Sequence, residues 1–356
     1  MKSNFKTVSI KPINLIIVFF TVFVIIPPAK INAQEYAIGA DLSFLKSAED
    51  RGFIFKENGI DKPGLQIFKD HGYNWIRLRL FHSPTNLPND LEYTIALAKK
   101  AKELGFKFLL NYHYSDTWAD PGKQYVPKAW EGMSHRELVL AVFNYTRETI
   151  KAFREAGVMP DIVQPGNEII NGMLWPDGKL PENWDNFAEL VKAGINGVNA
   201  GCDSISRPKI MIHIDQGGNK ARTKYFFDKL LSYGTDFDYI GQSYYPWWHG
   251  SLLDLRNNLI FMAEIYKKPV ILVEVAYCSS PTEYKDKRAP FPETPEGQKE
   301  FLDEVNKLVL NTPDNLGVGI FWWEPATMGG RSTRDFFDEK GNVLPVINVF
   351  DKYVRY

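Results

Sequence analysis

Eight short β-rich runs, most of them separated by a helix-like stretch, are the feature that most constrains this chain. They run from Tyr36 to Leu42, Asn74 to Phe81, Lys107 to His113, Asp161 to Glu168, Lys209 to Ile214, Phe237 to Tyr244, Pro269 to Ala276 and Val318 to Trp323. The second alternates with period two, as a strand with two different faces does. The helical pattern from Leu91 to Leu104 stops at Gly105, and that from Arg136 to Ala156 stops at Gly157. A glycine just past the last turn is an expected helix stop. Strands alternating with helices imply a parallel sheet. Eight such units within residues 34–356, with no linker or low-complexity stretch between them, predict a single-domain α/β chain, a (β/α)8 TIM barrel. An open doubly wound sheet is the alternative. It would carry a glycine-rich phosphate loop after the first strand, which Gly39-Ala40-Asp41 does not supply.

The first residues follow a different logic. Lys2, Lys6 and Lys11 form a basic leader, and Leu15 to Ile26 is apolar except for Thr21. Pro27-Pro28 and the small residue Ala33 follow. That order predicts a signal peptide over residues 1–33 and a catalytic domain over 34–356, hence a secreted or periplasmic protein. The alternative is an uncleaved anchor. The apolar run falls short of the roughly 20 residues of a membrane span, and no membrane span is expected in the mature chain. In an oxidising compartment Cys202 and Cys278 could pair, but nothing in the sequence brings them together. Both are expected as buried free thiols. The charge balance, 42 Lys+Arg against 43 Asp+Glu, lacks the basic excess of a nucleic-acid binder.

In such a barrel, chemistry gathers at the C-terminal ends of the strands. Those ends carry Asp41, Arg77 and Arg79, His113, Asn167-Glu168, His213 and Asp215, Tyr244-Tyr245, Glu274, and Trp322-Trp323-Glu324. Glu168 and Glu274 stand out as isolated carboxylates in otherwise apolar strands. Each alone could be the partner of Arg77 or Arg79. Strands four and seven, however, face each other across a barrel mouth. Two carboxylates there suit glycoside hydrolysis, in which one protonates the leaving oxygen while the other attacks the anomeric carbon. A short separation would make the reaction retaining. The six histidines are scattered, with none on strand one, so the pattern of a barrel metallohydrolase is missing. So are a G-x-S-x-G elbow and a nucleotide fingerprint. No metal and no cofactor is expected. Trp118, Trp175, Trp247, Trp248 and Trp323 fall at strand ends or in the loops after them, which suits the stacking of sugar rings.

Several segments sharpen this. Gly39-Ala40-Asp41-Leu42-Ser43, Arg77-Leu78-Arg79, the stretch from His113 to Pro121 (HYSDTWADP), Gly166-Asn167-Glu168, Lys209 to His213, Ser243-Tyr244-Tyr245-Pro246 and Trp323-Glu324-Pro325-Ala326 resemble the endo-β-1,4-galactanases. These are retaining (β/α)8 glycosidases that cut the galactan of type I arabinogalactan, a pectin side chain. The resemblance spans residues 36 to 353 and implies galactan polysaccharide as the partner. It implies Glu168 as acid/base and Glu274 as nucleophile. Asn167 would bind the sugar 2-hydroxyl, Arg79 rather than Arg77 would hold the nucleophile ionised, and Tyr244 would hydrogen-bond Glu274. Trp323 would be the floor under the reacting sugar, and His113 and His213 wall residues. Asp41, Asp116, Trp118 and Trp175 would touch neighbouring sugars. Some relatives staple the loop after strand seven with calcium or a disulfide. Between Tyr277 and Pro295 this chain has neither a run of closely spaced Asp and Asn nor a nearby partner for Cys278. The chain is expected to be a monomer. Another retaining β-glycanase (mannanase, xylanase or glucanase) and a non-catalytic sugar-binding barrel are the rival readings.

Overall fold

A computed structural model describes residues 1–2, 35–203, 207–281, 289–327 and 332–353. The expected signal peptide, from residue 3 onward, and the middle of the loop after strand seven lie outside the described residues. The unit from Glu35 to Tyr356 is a closed barrel of eight parallel strands. They are β1 (Ala37–Asp41), β2 (Trp75–Leu80), β3 (Lys107–Tyr112), β4 (Ile162–Pro165), β5 (Lys209–Ile214), β6 (Tyr239–Tyr244), β7 (Val270–Val275) and β8 (Gly317–Trp322). Each strand pairs with the next, and β1 closes the ring on both β2 and β8.

Helices cover the outside, as strands buried on both faces require. Two short ones, α1 (Leu45–Asp50) and α2 (Gly64–Asp70), follow β1. Then α3 (Leu91–Glu103), α4 (His135–Glu155), α5 (Trp184–Gly201), α6 (Lys220–Ser232), α7 (Leu252–Tyr266) and α8 (Pro295–Leu310) follow one strand each. A 3₁₀ segment, Pro345–Lys352, follows β8. The starts are local and chemical. Asp90 accepts from the Tyr93 N–H ahead of α3, and Ser251 and Asp254 cap each other at the head of α7.

The expected strands match within a residue or two, except the fourth. β4 ends at Pro165, and Gly166 turns the chain with φ +94°. Glu168 itself sits in the left-handed region at φ +48°. Asn167-Glu168 is therefore a tight turn off the strand end, a conformation that costs energy for a residue with a side chain. The cysteine expectation also needs correction. No disulfide joins Cys202 to Cys278, but only Cys278 is buried, and Cys202 is half-buried at the end of α5.

The barrel interior is filled. Trp75, Leu109, Ile162, Met211, Ile271, Val273 and Phe321 form an inner cluster distinct from the larger core between strands and helices. Gly39 makes room for it. A Cβ built there would lie 2.3 Å from the Phe321 ring. Gly39→Ala should gain about 0.5–1 kcal/mol from lost strand flexibility and lose about 1–3 kcal/mol to overpacking. The loss wins, so a thermal melt of the variant should fall below wild type. An unchanged or higher melting temperature would refute the plugged interior.

Candidate active site

Period-two alternation on β2 sends Trp75, Arg77 and Arg79 to the same inner face. Trp75 joins the plug, and the two guanidiniums rise above it, each 1% exposed. Such charges need partners. Arg77 donates through Nη1 to Glu274 Oε1 at 2.7 Å and Asp41 Oδ2 at 3.2 Å. Its Nη2 reaches Asn167 Oδ1 at 2.8 Å and Gln164 Oε1 at 3.3 Å. Arg79 donates through Nη2 to Asp41 Oδ1 at 2.8 Å and to Glu324. Its guanidinium lies between the rings of Phe44 and Trp118, 4.6 and 4.3 Å from their centroids. Arg79 was the expected partner of Glu274; the structure gives that contact to Arg77. Aromatic faces and two other carboxyls already occupy Arg79.

Glu274 reaches the mouth by a break in register. Ile271 and Val273 belong to the inner cluster, so strict alternation would turn residue 274 outward. The ladder shifts between Gln242 and Ser243 on β6, and again between Leu272 and Val275 on β7. Bulges of this kind re-aim a side chain. Glu274 thus faces inward and accepts from the Tyr245 hydroxyl at Oε2, 2.7 Å away. Both its oxygens accept, as a carboxylate's can. The expected donor was Tyr244. That residue's ring is instead buried outside the barrel against Phe301, with its hydroxyl on the Gly250 carbonyl.

Glu168 accepts from Ser243 Oγ at Oε1, 2.6 Å away. Burial first, then the charges of Glu274 and Asp215, push its carboxyl well above the ordinary range. Burial also pushes Glu324 up to about 8 against the pull of Arg79. For Asp41, Arg79 and Arg77 outweigh burial and hold the carboxyl below its ordinary range. His113 and His213 are driven well below the usual imidazole range by burial and by the nearby guanidiniums.

An oxygen of each glutamate and a nitrogen of His213 lie within 4.8 Å of one another, the one trio among the described residues spaced as metal ligands would be. Its atoms are already committed. His213 Nδ1 faces the Gln164 side-chain amide, its Nε2 faces Ser243, and Glu274 is taken by Arg77 and Tyr245. The trio is a hydrogen-bonded network rather than an open coordination shell.

The cleft above this network measures about 320 Å³ and is lined by Asp41, Arg77, Arg79, His113, Trp118, Asn167, Glu168, Tyr245, Trp248, Glu274, Trp323 and Arg334, with the Ala119–Lys123 loop. Trp323 is held by edge contacts to Trp118 and Tyr245. Asn167 is fixed by Arg77, by Asn111 at 3.0 Å and by the Ala119 carbonyl at 2.9 Å. Besides Tyr244, three expected residues are not among the lining. His213 lies beneath it. Asp116 accepts from the Ser83 and Lys128 N–H groups and ties two loops together. Trp175 donates its backbone N–H to the Gln124 carbonyl and its indole N–H to the Asn171 carbonyl. Trp247, read as a stacking surface, is buried flat against Tyr277, whereas Trp248 is 45% exposed.

A barrel carrying two buried carboxyls this close, in an aromatic-walled cleft, belongs to the glycoside hydrolase class. Residues 37–350 match the model of glycosyl hydrolase family 53, and the chain belongs to that family. It is 42% identical over 314 residues to a Niallia circulans protein described as an uncharacterized protein in the bgaB 5′ region, covering 83% of this chain and 85% of that one. It is 37% identical over 299 residues to the arabinogalactan endo-β-1,4-galactanase A of Aspergillus niger, covering 81% and 84%. A solved fungal β-1,4-galactanase superposes with a TM-score of 0.82 at 34% identity, covering 89% of this chain and 99% of the other.

The buried charges fix a pH dependence. Glu168, Glu324 and Asp215, the last raised to about 7 by burial, take up protons on folding. Their stabilisation is complete below the ordinary carboxylate range and is lost as pH rises through the folded values. The lowered imidazoles act oppositely: their stabilisation is present above 6.5 and is lost as pH falls. Above pH 6.5 the raised carboxyls leave a falling slope, joined by His135, whose imidazole is raised, against the effect of burial, by Asp177 and Glu189. The melting temperature should therefore fall between pH 6.5 and pH 8. Glu324→Gln, which mimics the protonated carboxyl, should flatten that fall by up to about 1.4 kcal/mol per pH unit. Parallel melting curves for variant and wild type across that window would remove Glu324 as a cause.

Proposed function

We propose that this chain is a secreted endo-β-1,4-galactanase that hydrolyses the galactan of type I arabinogalactan with retention of configuration. Residues 1–33 are its signal peptide, 34–356 its catalytic domain, and it acts as a monomer. No helix among the described residues is long and apolar enough to cross a membrane. One observation carries the mechanism: an oxygen of Glu168 and one of Glu274 lie within 4.8 Å of each other. That agrees with the roughly 5–5.5 Å of retaining enzymes and leaves no room for the intervening water of inverting ones.

In this reading Glu274 is the nucleophile, aimed by Arg77 and Tyr245. Glu168 is the acid/base. Its raised carboxyl keeps a proton for the leaving oxygen, and the neighbouring charge of Glu274 helps to hold that proton. Once Glu274 has become an ester that charge is gone, and Glu168 can take a proton from water. Asn167 offers its amide N–H to the sugar 2-hydroxyl. Trp323 and Trp118 carry the sugar rings, with Asp41, Arg79 and His113 forming the polar wall. The names of the relatives support galactan as the substrate.

The test is release of reducing ends from galactan, mannan, xylan and β-glucan. Cleavage of galactan alone is expected. Preferential cleavage of another polymer would reassign the substrate, and no cleavage of any would favour a sugar-binding role. Glu274→Ala and Glu168→Ala should each lower kcat/KM on galactan by at least about 10²–10⁴-fold. Near-wild-type activity in either variant would end the assignment. The first product anomer seen by NMR should be β; an α product would end the retaining mechanism.

A further inference from the structure

The network beneath Glu168 has a direction. His213 Nδ1 faces the Gln164 amide nitrogen at 3.0 Å and the backbone N–H of Glu168 at 3.4 Å. The Gln164 amide is oriented by its other neighbours. Its nitrogen reaches Asn111 Oδ1 at 2.7 Å and the Gly166 carbonyl at 3.0 Å, while its oxygen accepts from Arg77. Neither the Gln164 amide nitrogen, which shares its two hydrogens with Asn111 and Gly166, nor the Glu168 N–H can accept, so a proton on Nδ1 would have no partner; the imidazole is neutral and carries its proton on Nε2. Nε2 donates to Ser243 Oγ at 2.8 Å. The Ser243 hydroxyl proton then has one place to go, Glu168 Oε1 at 2.6 Å. Oε1 thus already accepts from below, which favours Oε2 as the oxygen that carries the proton of the neutral acid.

We propose that Ser243, oriented by His213, is the positioning residue of the acid/base: it confines the transferable proton of Glu168 to Oε2 and donates to the carboxylate left when that proton departs. The proposal rests on the reading of Glu168 as acid/base. In the first step the Oε2 proton moves to the glycosidic oxygen as the C1–O bond breaks and Glu274 bonds to C1. In the second, water gives a proton to Oε2 and its oxygen to C1, and Glu274 leaves. Ser243 and His213 keep their own protons throughout. The arrangement depends on a neutral imidazole, because a proton on Nδ1 would meet two donors. Burial, Arg77 and His113 favour that neutral form. The other groups acting on Glu168 are Glu274 from β7, Asp215 after β5 and Arg77 from β2.

The test is the pH profile of kcat/KM on galactan for Ser243→Ala. Losing a donor to the carboxylate makes Glu168 a weaker acid, so the alkaline limb should move up by roughly one pH unit. At the optimum, kcat should fall by about tenfold on galactan with little change in KM, and by less on a dinitrophenyl β-galactobioside, whose leaving group needs no proton. Ser243→Thr, which keeps the hydroxyl, should return the limb to wild type. An alkaline limb unmoved in Ser243→Ala, or equal losses on both substrates, overturns the proposal. Should that variant not fold, Ser243→Cys, a weaker donor of similar size, is read by the same limb. Failure of the underlying reading looks different: Glu168→Ala would keep the wild-type limb and activity whatever Ser243 does.

Discussion

Two guanidiniums buried at the barrel mouth must be neutralised, and the rest of the site is arranged around that requirement. Arg77 and Arg79 bond three carboxyls, those of Asp41, Glu274 and Glu324, and the charge of Arg77 also acts on Glu168. Two negative charges suffice. Asp41 bridges both arginines and is held ionised, and Glu274 spends both oxygens as acceptors. The other two carboxyls are raised by the same burial that makes charge costly. A glutamate pushed toward its neutral form beside one that accepts at both oxygens thus follows from charge balance in a dry place. That asymmetry is what the proposed acid and nucleophile require.

The fold was legible because its signal is repetitive. Eight alternating β and α stretches leave few architectures, and the glycines that close α3 and α4 fall where the helices stop. The fourth strand was over-read because Asp161 to Glu168 looks extended until Gly166 turns positive in φ. That turn lifts Asn167 and Glu168 off the strand and over the mouth.

The site was legible in its residue types and less so in their pairing. Arg77 and Arg79 share a face, so alternation cannot say which meets Glu274. The choice depends on how far the strands are staggered around the barrel, and on the aromatic rings that claim Arg79. Tyr244 and Tyr245 differ by one position: β6 keeps its alternation, so Tyr244 turns out to Phe301 and Tyr245 in to Glu274, while the extra residue of the slip lies on β7. Trp247 and Trp248 pose the same problem: one is core and the other is surface. Asp116 looks like a sugar contact in sequence, but two backbone N–H groups from separate loops consume it. Ser243 stood out only as one letter of the Ser243–Pro246 segment, with no role, since a serine in a strand is ordinary until its neighbours on β4 and β5 are known.

Phe321, seated over Gly39, has a consequence for traffic. With the interior plugged, the barrel is a cup rather than a tunnel, and nothing threads through it. Whatever reaches Glu168 and Glu274 arrives and departs by one doorway. A polymer can only be laid across that opening, and each severed end must clear the same surface that the next stretch of chain has to occupy.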